Sequence, residues 1–307
     1  MRKKKTGDGY EICEWKVGPS TFEANVEWGA RLMKWDLALA GGRRRSVLYW
    51  DERAPNGGGG EAFSEARGGN PILFPFAGRS FVGEREGVWI TPEGDERPMH
   101  LHGYASMERF EAVSVGERGF RARYLPSVES KRAYPYDFDF YVEYLFEDFA
   151  LTCRLELENK SGRRIPWGAG THFYFALPWH EGCGRANYRL VHDARQASRN
   201  SKEGVILPGR LDADGFDDPD IRNRVLSKLK TGVVKFGLKN GEEDVTVSID
   251  GGGRPAPGTC VVTWTEFPDS PYYCVEPWMS PPKSSSKPVR FVEPGGRGEF
   301  SVRVSIE

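Results

Sequence analysis

Along residues 136–144 the large apolar side chains Tyr136, Phe138, Phe140, Val142 and Tyr144 take every second position, with mostly polar residues between them. A period of two marks a strand buried on one face, because successive side chains point to opposite sides. After a break at Glu147-Asp148-Phe149-Ala150 the alternation resumes with Leu151, Cys153, Leu155 and Leu157, and Asn159-Lys160-Ser161-Gly162 closes it with turn chemistry. The same alternation predicts strands over 245–249 and 300–306, and further strands read at 22–28, 32–39, 47–50 and 259–265. Helical periodicity is scarce: only 220–229, following Pro219, predicts a short helix. Strands spaced about ten residues apart, with polar turns, predict an all-β sandwich or barrel.

No linker divides the chain. The Gly-rich stretch 55–60 and the serines at 284–286 read as surface loops, so one domain over 1–307 is expected, with 1–20 partly a polar tail. Composition sharpens this. The chain has Gly 37 and Pro 21, which disfavour a helical bundle, and Trp 9, Tyr 12 and Phe 18, which disfavour disorder. Lys+Arg 43 against Asp+Glu 44 leaves a net charge of −1, so no global field gathers nucleic acid or an anionic membrane. The five cysteines form no Cys-x-x-Cys pair and read as reduced core thiols of a cytosolic protein. The basic N-terminus has no apolar stretch behind it and no apolar run approaches a membrane span, so a cytoplasmic protein is expected.

Three segments depart from plain strand patterns, and a fourth joins them. Asn70-Pro71-Ile72-Leu73-Phe74-Pro75-Phe76-Ala77-Gly78-Arg79 places a guanidinium, able to donate a fork of hydrogen bonds, after a rigid apolar piece. In His100-Leu101-His102 two imidazoles two residues apart would share one face of a strand, which admits a cupin-like metal reading, although Glu108 lies too far along for that motif. Gly168-Ala169-Gly170-Thr171-His172 leads a histidine into the aromatic run Phe173-Tyr174-Phe175. In Cys274-Val275-Glu276-Pro277 a carboxylate stands in an apolar strand, where it needs a partner or a chemical task. Fixed polar groups among Trp and Tyr faces suit a sugar, whose C–H faces stack while its hydroxyls are hydrogen-bonded. There is no Gly-x-Ser-x-Gly elbow, no phosphate-cradling loop and no evident second carboxylate for a glycosidase.

In order and rough spacing, residues 70–79, His102-Gly103-Tyr104, His172-Phe173-Tyr174-Phe175 and Cys274-Val275-Glu276-Pro277 resemble the aldose 1-epimerase (galactose mutarotase) family. The likeness runs from about residue 22 to the C-terminus. It implies the large antiparallel β-sandwich of the galactose mutarotase-like superfamily, with few short helices and no cofactor. It implies His172 as general acid, Glu276 as general base, and Arg79 and His102 as sugar-binding groups, with His172 protonated and Glu276 ionised at the outset. The family also uses an aspartate between acid and base; Asp212, Asp214, Asp217 and Asp218 fall in that interval, and Asp214 is the candidate. Tyr104 stands where the family usually has Phe.

The reaction so implied interconverts the α and β anomers of a free aldohexose. Two neighbouring readings stay open: an epimerase for a hexose 6-phosphate, with Arg79, Arg85 and Arg97 at the pocket mouth, and a sugar-binding protein without catalysis.

Overall fold

The computed structural model describes residues 1–201, 205–241, 243–283, 285 and 290–307. Among these the chain forms two large antiparallel sheets, of 13 and eight strands, together with three two-stranded pairs. The larger sheet runs, in spatial order from its second strand, through Glu11–Val17, Ser20–Asn25, Arg31–Ala38, Arg44–Leu48, Phe173–Ala176, Tyr272–Trp278, Cys260–Trp264, Arg224–Ser227 and Gln196–Asn200. The smaller runs through Arg109–Gly116, Gly119–Leu125, Phe138–Glu147, Ala150–Asn159, Arg297–Ile306, Asp244–Ile249, Val233–Leu238 and Tyr188–His192. The alternating segments become strands of both sheets. Phe140, Val142 and Tyr144 meet Trp15, Phe22, Phe173 and Phe175 in one core cluster that reaches from Cys13 to Val304. The two α-helices among the described residues, Gly60–Glu65 and Val128–Ala133, are six residues each. No helix among the described residues is long and apolar enough to cross a membrane.

The structure corrects two local expectations. The N-terminal residues are not a polar tail: Arg2–Lys5 pairs with Glu11–Val17, whose Trp15 is fully buried and packs against Phe120 and Phe146 at ring distances of 5.6 and 5.1 Å. The helix expected over 220–229 is a short 3-10 turn, Pro219–Ile221, followed by the strand Arg224–Ser227. That strand lies between Gln196–Asn200 and Cys260–Trp264, so Val225 and Leu226 are buried on opposite faces. A sheet interior outweighs weak local helical preference. Of the serine loop at 284–286, only Ser285 lies within the described residues.

The larger sheet has two unlike faces, and this asymmetry positions the site. Along Tyr272–Trp278, Tyr273 and Val275 join the main core, whereas Cys274 and Trp278 belong to separate clusters on the opposite face. Glu276 shares that outer face by period two. The segments 70–79, 100–104 and 168–172 are stitched over it by backbone bonds. Tyr104 N–H donates to the Phe74 carbonyl at 2.8 Å, His102 N–H to Gly78 at 3.0 Å, and Gly168 N–H to Pro75 at 2.8 Å. Gly103 has φ +77°, and a Cβ there would overlap the Phe74 carbonyl oxygen. Substituting Gly103→Ala is therefore expected to destabilise the protein by more than about 2 kcal/mol, read by chemical denaturation; a loss within about 0.5 kcal/mol would contradict the close approach.

Candidate functional site

His172 and Glu276 meet because of strand register. Phe173 pairs with Val275 and Tyr174 with Cys274, so the position before Phe173 faces the position after Val275. His172 Nε2 lies 3.4 Å from Glu276 Oε2, and both side chains are almost wholly buried. The His172 backbone is held by Asn70, which links it to the opposite sheet. Asn70 Oδ1 accepts from His172 N–H at 2.8 Å, while Asn70 Nδ2 donates to the Tyr144 hydroxyl at 2.7 Å. Asn70 is fully buried, and it ties the candidate acid to a strand of the smaller sheet.

Aromatic rings surround the pair. The His172 ring stacks on Tyr174 at 4.7 Å and meets Trp264 edge-on at 5.9 Å and His102 at 5.3 Å; His102 meets Trp278 at 5.7 Å. A Cβ at Gly78 would press on the Trp278 ring, so the glycine lets the Arg79 segment lie against that indole. His102, at φ +65°, accepts from Gly78 N–H through Nδ1 at 3.0 Å. Burial, and then Arg79 and Arg67, hold His102 down to about 3, so the ring is neutral with its proton assigned to Nε2.

Burial also sets the charge state of the central pair. It pushes His172 well below the imidazole range, reinforced by His102, and raises Glu276 well above the carboxylate range. The Trp278 indole opposes the rise at Glu276 without closing a hydrogen bond. The expected resting state, with His172 charged and Glu276 ionised, is thus not what burial favours: both groups are driven towards neutrality, and one proton serves the pair. His172 Nδ1 is buried without a partner.

The other anticipated residues fall as follows. Arg79 follows Gly78, lies within electrostatic reach of His102, and is ion-paired with Glu86. His100 does not converge with His102. The two occupy a turn rather than a strand, and His100 reaches out to Glu129 at 3.3 Å, which removes the two-histidine metal reading. Asp214 is not brought to the pair: its side chain is exposed, and its carbonyl accepts from Leu190 N–H beside the smaller sheet. Nearby Phe216 packs on Tyr273, which faces the main core, so this segment lies against the sheet face opposite Glu276.

Sequence reasoning gave no role to Tyr174, Trp264, Cys274 or the Arg67–Glu266 pair, in which Nε and one Nη of Arg67 meet the two carboxylate oxygens at 3.1 and 3.2 Å. Arg67 lies over the Trp264 ring at 5.5 Å, and the Tyr272 hydroxyl donates to Glu266 at 3.0 Å. Tyr272, Cys274 and Glu276 stand at every second position of their strand and so share this face. Two surface clefts, of about 350 and 550 Å³, border neither His172 nor Glu276.

The two antiparallel sheets packed face to face form the fold of galactose mutarotase-like proteins. The sequence pattern of the aldose 1-epimerase family matches residues 26–196, more than half of the chain, and the protein belongs to that family of sugar epimerases. That stretch contains Asn70, Arg79, His102 and His172, and Glu276 lies beyond it. The fold is similar to the Slr1438 protein of Synechocystis sp. PCC 6803, with a TM-score of 0.80 at 18% identity over 100% of this chain and 99% of the other. It is similar to a galactose mutarotase related enzyme from Lactobacillus acidophilus (TM-score 0.74, 18% identity, 96% and 97% covered). A galactose mutarotase-like protein from Clostridium acetobutylicum gives a TM-score of 0.77 at 14% identity, with 100% and 98% covered. No curated protein matches the sequence.

The raised Glu276 carboxyl has a consequence for stability. A folded carboxyl that holds its proton more tightly than the unfolded chain contributes fully below the unfolded value, and loses that contribution as pH rises through its folded value. Glu276→Gln should therefore melt above the parent protein at about pH 8, with the gap closing as pH falls towards the ordinary carboxylate range. A melting difference that does not change with pH would contradict the assigned burial.

Proposed function

We propose that the protein is an aldose 1-epimerase acting on a free, unphosphorylated aldohexose, with His172 and Glu276 as the proton-transfer pair. The observation that carries this reading is the 3.4 Å contact between Nε2 and Oε2. The ring oxygen and the anomeric hydroxyl of an aldose are bonded to the same carbon, so a base and an acid that serve both must themselves lie close together. When the one shared proton passes to His172, which leaves the net charge of the pair unchanged, Glu276 takes the proton of the anomeric hydroxyl while His172 protonates the ring oxygen. The ring opens to the aldehyde, rotation about the C1–C2 bond exposes the other face, and closure with the roles reversed gives the other anomer. Because burial favours a single shared proton, the reverse assignment of acid and base operates on the opposite anomer without a change in net charge. His102, neutral with Nε2–H assigned as donor, and Arg79 steady the sugar oxygens, and Trp264 and Trp278 offer faces for its C–H groups.

The charge pattern around the site favours a neutral sugar over a phosphorylated one. Four arginines that a phosphate would be expected to engage already have carboxylates: Arg67 has Glu266, Arg79 has Glu86, Arg85 has Glu96 and Arg97 has Asp95. A phosphate would have to displace these partners.

Anomer exchange measured by NMR on glucose, galactose and glucose 6-phosphate tests the reading. The free sugars should exchange faster than the uncatalysed background and the phosphate should not. Glu276→Gln and His172→Asn should each lower the rate at least about a hundredfold. Acceleration confined to the phosphate, or absent with every aldose, would refute the proposal.

The rate should follow a bell-shaped pH profile. It falls in acid when the pair gains a second proton, below the ordinary imidazole range because His172 is lowered, and falls in alkali when the shared proton leaves, above the ordinary carboxylate range because Glu276 is raised. A profile with no alkaline limb would contradict the shared-proton assignment.

A further inference from the structure

The chemistry above leaves one buried side chain beside the pair unused. Cys274 stands two residues before Glu276 on the same strand, hence on the same face, and pairs across the sheet with Tyr174. It is a free thiol and fully buried. The ligand atoms of His172, Cys274 and Glu276 all lie within 4.8 Å of one another, and no other group of three such side chains gathers in this way among the described residues. Nitrogen, sulfur and oxygen donors in one small cluster are the set that zinc and cobalt(II) accept.

We propose that His172, Cys274 and Glu276 form a zinc-binding site that switches the enzyme off by occupying its proton-transfer atoms. Zinc bonds of about 2.0 to 2.3 Å place tetrahedral ligands about 3.3 to 3.8 Å apart, so the three side chains need to close by about 1 Å, with water in the fourth position. The His172–Glu276 distance of 3.4 Å already meets this spacing. Charge balance favours the ion. On binding, the Cys274 thiol and the imidazole–carboxyl pair each release one proton. The product, one doubly charged cation with a thiolate, a carboxylate and a neutral imidazole, has the same zero net charge as the site it replaces. No net charge is therefore added to a buried environment, where an uncompensated one is costly. The unpartnered Nδ1 of His172 lacks the outer acceptor that strengthens zinc–histidine bonds, which suits a reversible inhibitor rather than a permanent structural ion.

The inference rests on the same two side chains as the epimerase reading, so its test includes a measurement that needs no turnover. Untagged protein is titrated with cobalt(II), and a thiolate-to-metal charge-transfer absorbance is expected to saturate at one ion per chain and to vanish when zinc is added. Cys274→Ala should abolish the band, and Cys274→Ser should do the same if the alanine variant folds poorly by circular dichroism. In the anomer-exchange assay, zinc should inhibit competitively with sugar, and the inhibition constant, taken against each variant's own uninhibited rate, should rise at least about tenfold without the thiol. A band that survives both Cys274 variants, or zinc inhibition unchanged by them, overturns the site. An inactive protein that shows the cobalt band overturns the epimerase reading alone, and an active protein without it overturns the metal site alone.

Discussion

The molecule is organised around the burial of an imidazole and a carboxyl against each other on the outer face of its larger sheet. Neither group gains by leaving water alone, and their desolvation is what drives both towards neutrality. Their contact is a matter of register: Phe173 must pair with Val275 and Tyr174 with Cys274 for His172 and Glu276 to meet. A slip of one residue would send Glu276 into the inter-sheet core and bring Val275 outward. The many apolar side chains of the core protect that register as much as they stabilise the fold.

Three chain segments distant in sequence hold the pair in place, each by backbone hydrogen bonds. Residues 70–79, 100–104 and 168–172 interlock, and Gly103 and Gly78 stand where a side chain would collide with the Phe74 carbonyl or the Trp278 ring. Asn70 extends the support to the opposite sheet through Tyr144. The site is thus carried by rigid sheet and by loops that cannot move independently, which suits chemistry that needs two groups held in fixed relation.

Carboxylates beside the arginines decide the electrostatic character of the rim. The Arg67–Glu266 pair closes a ring with Tyr272 and Trp264, and Arg79 turns to Glu86. A chain with nearly equal numbers of acidic and basic residues had room for a strongly basic pocket mouth. The folded arrangement pairs those charges with one another.

Much of this was legible in the sequence. Alternation along 136–144, 151–157, 245–249 and 300–306 determined strands, because a half-buried strand needs an apolar residue at every second place and little else. The unusual polar residues in apolar company, His172 and Glu276, stood out for the same reason, and the structure brings them within 3.4 Å of each other. Other features were decided only by tertiary structure. The strand Arg224–Ser227 replaces an expected helix because its neighbours bury both faces, and the N-terminal residues pair into the sheet because Trp15 finds a core supplied by Phe120 and Phe146. Asp214 falls between His172 and Glu276 in chain order yet lies beside the opposite face of the sheet, and His100 turns away from His102 because a left-handed residue reverses the chain between strands. Local pattern records which side chains avoid water. Which of them meet, and in what charge state, depends on burial summed over residues from the whole chain, and no short stretch of sequence contains that sum.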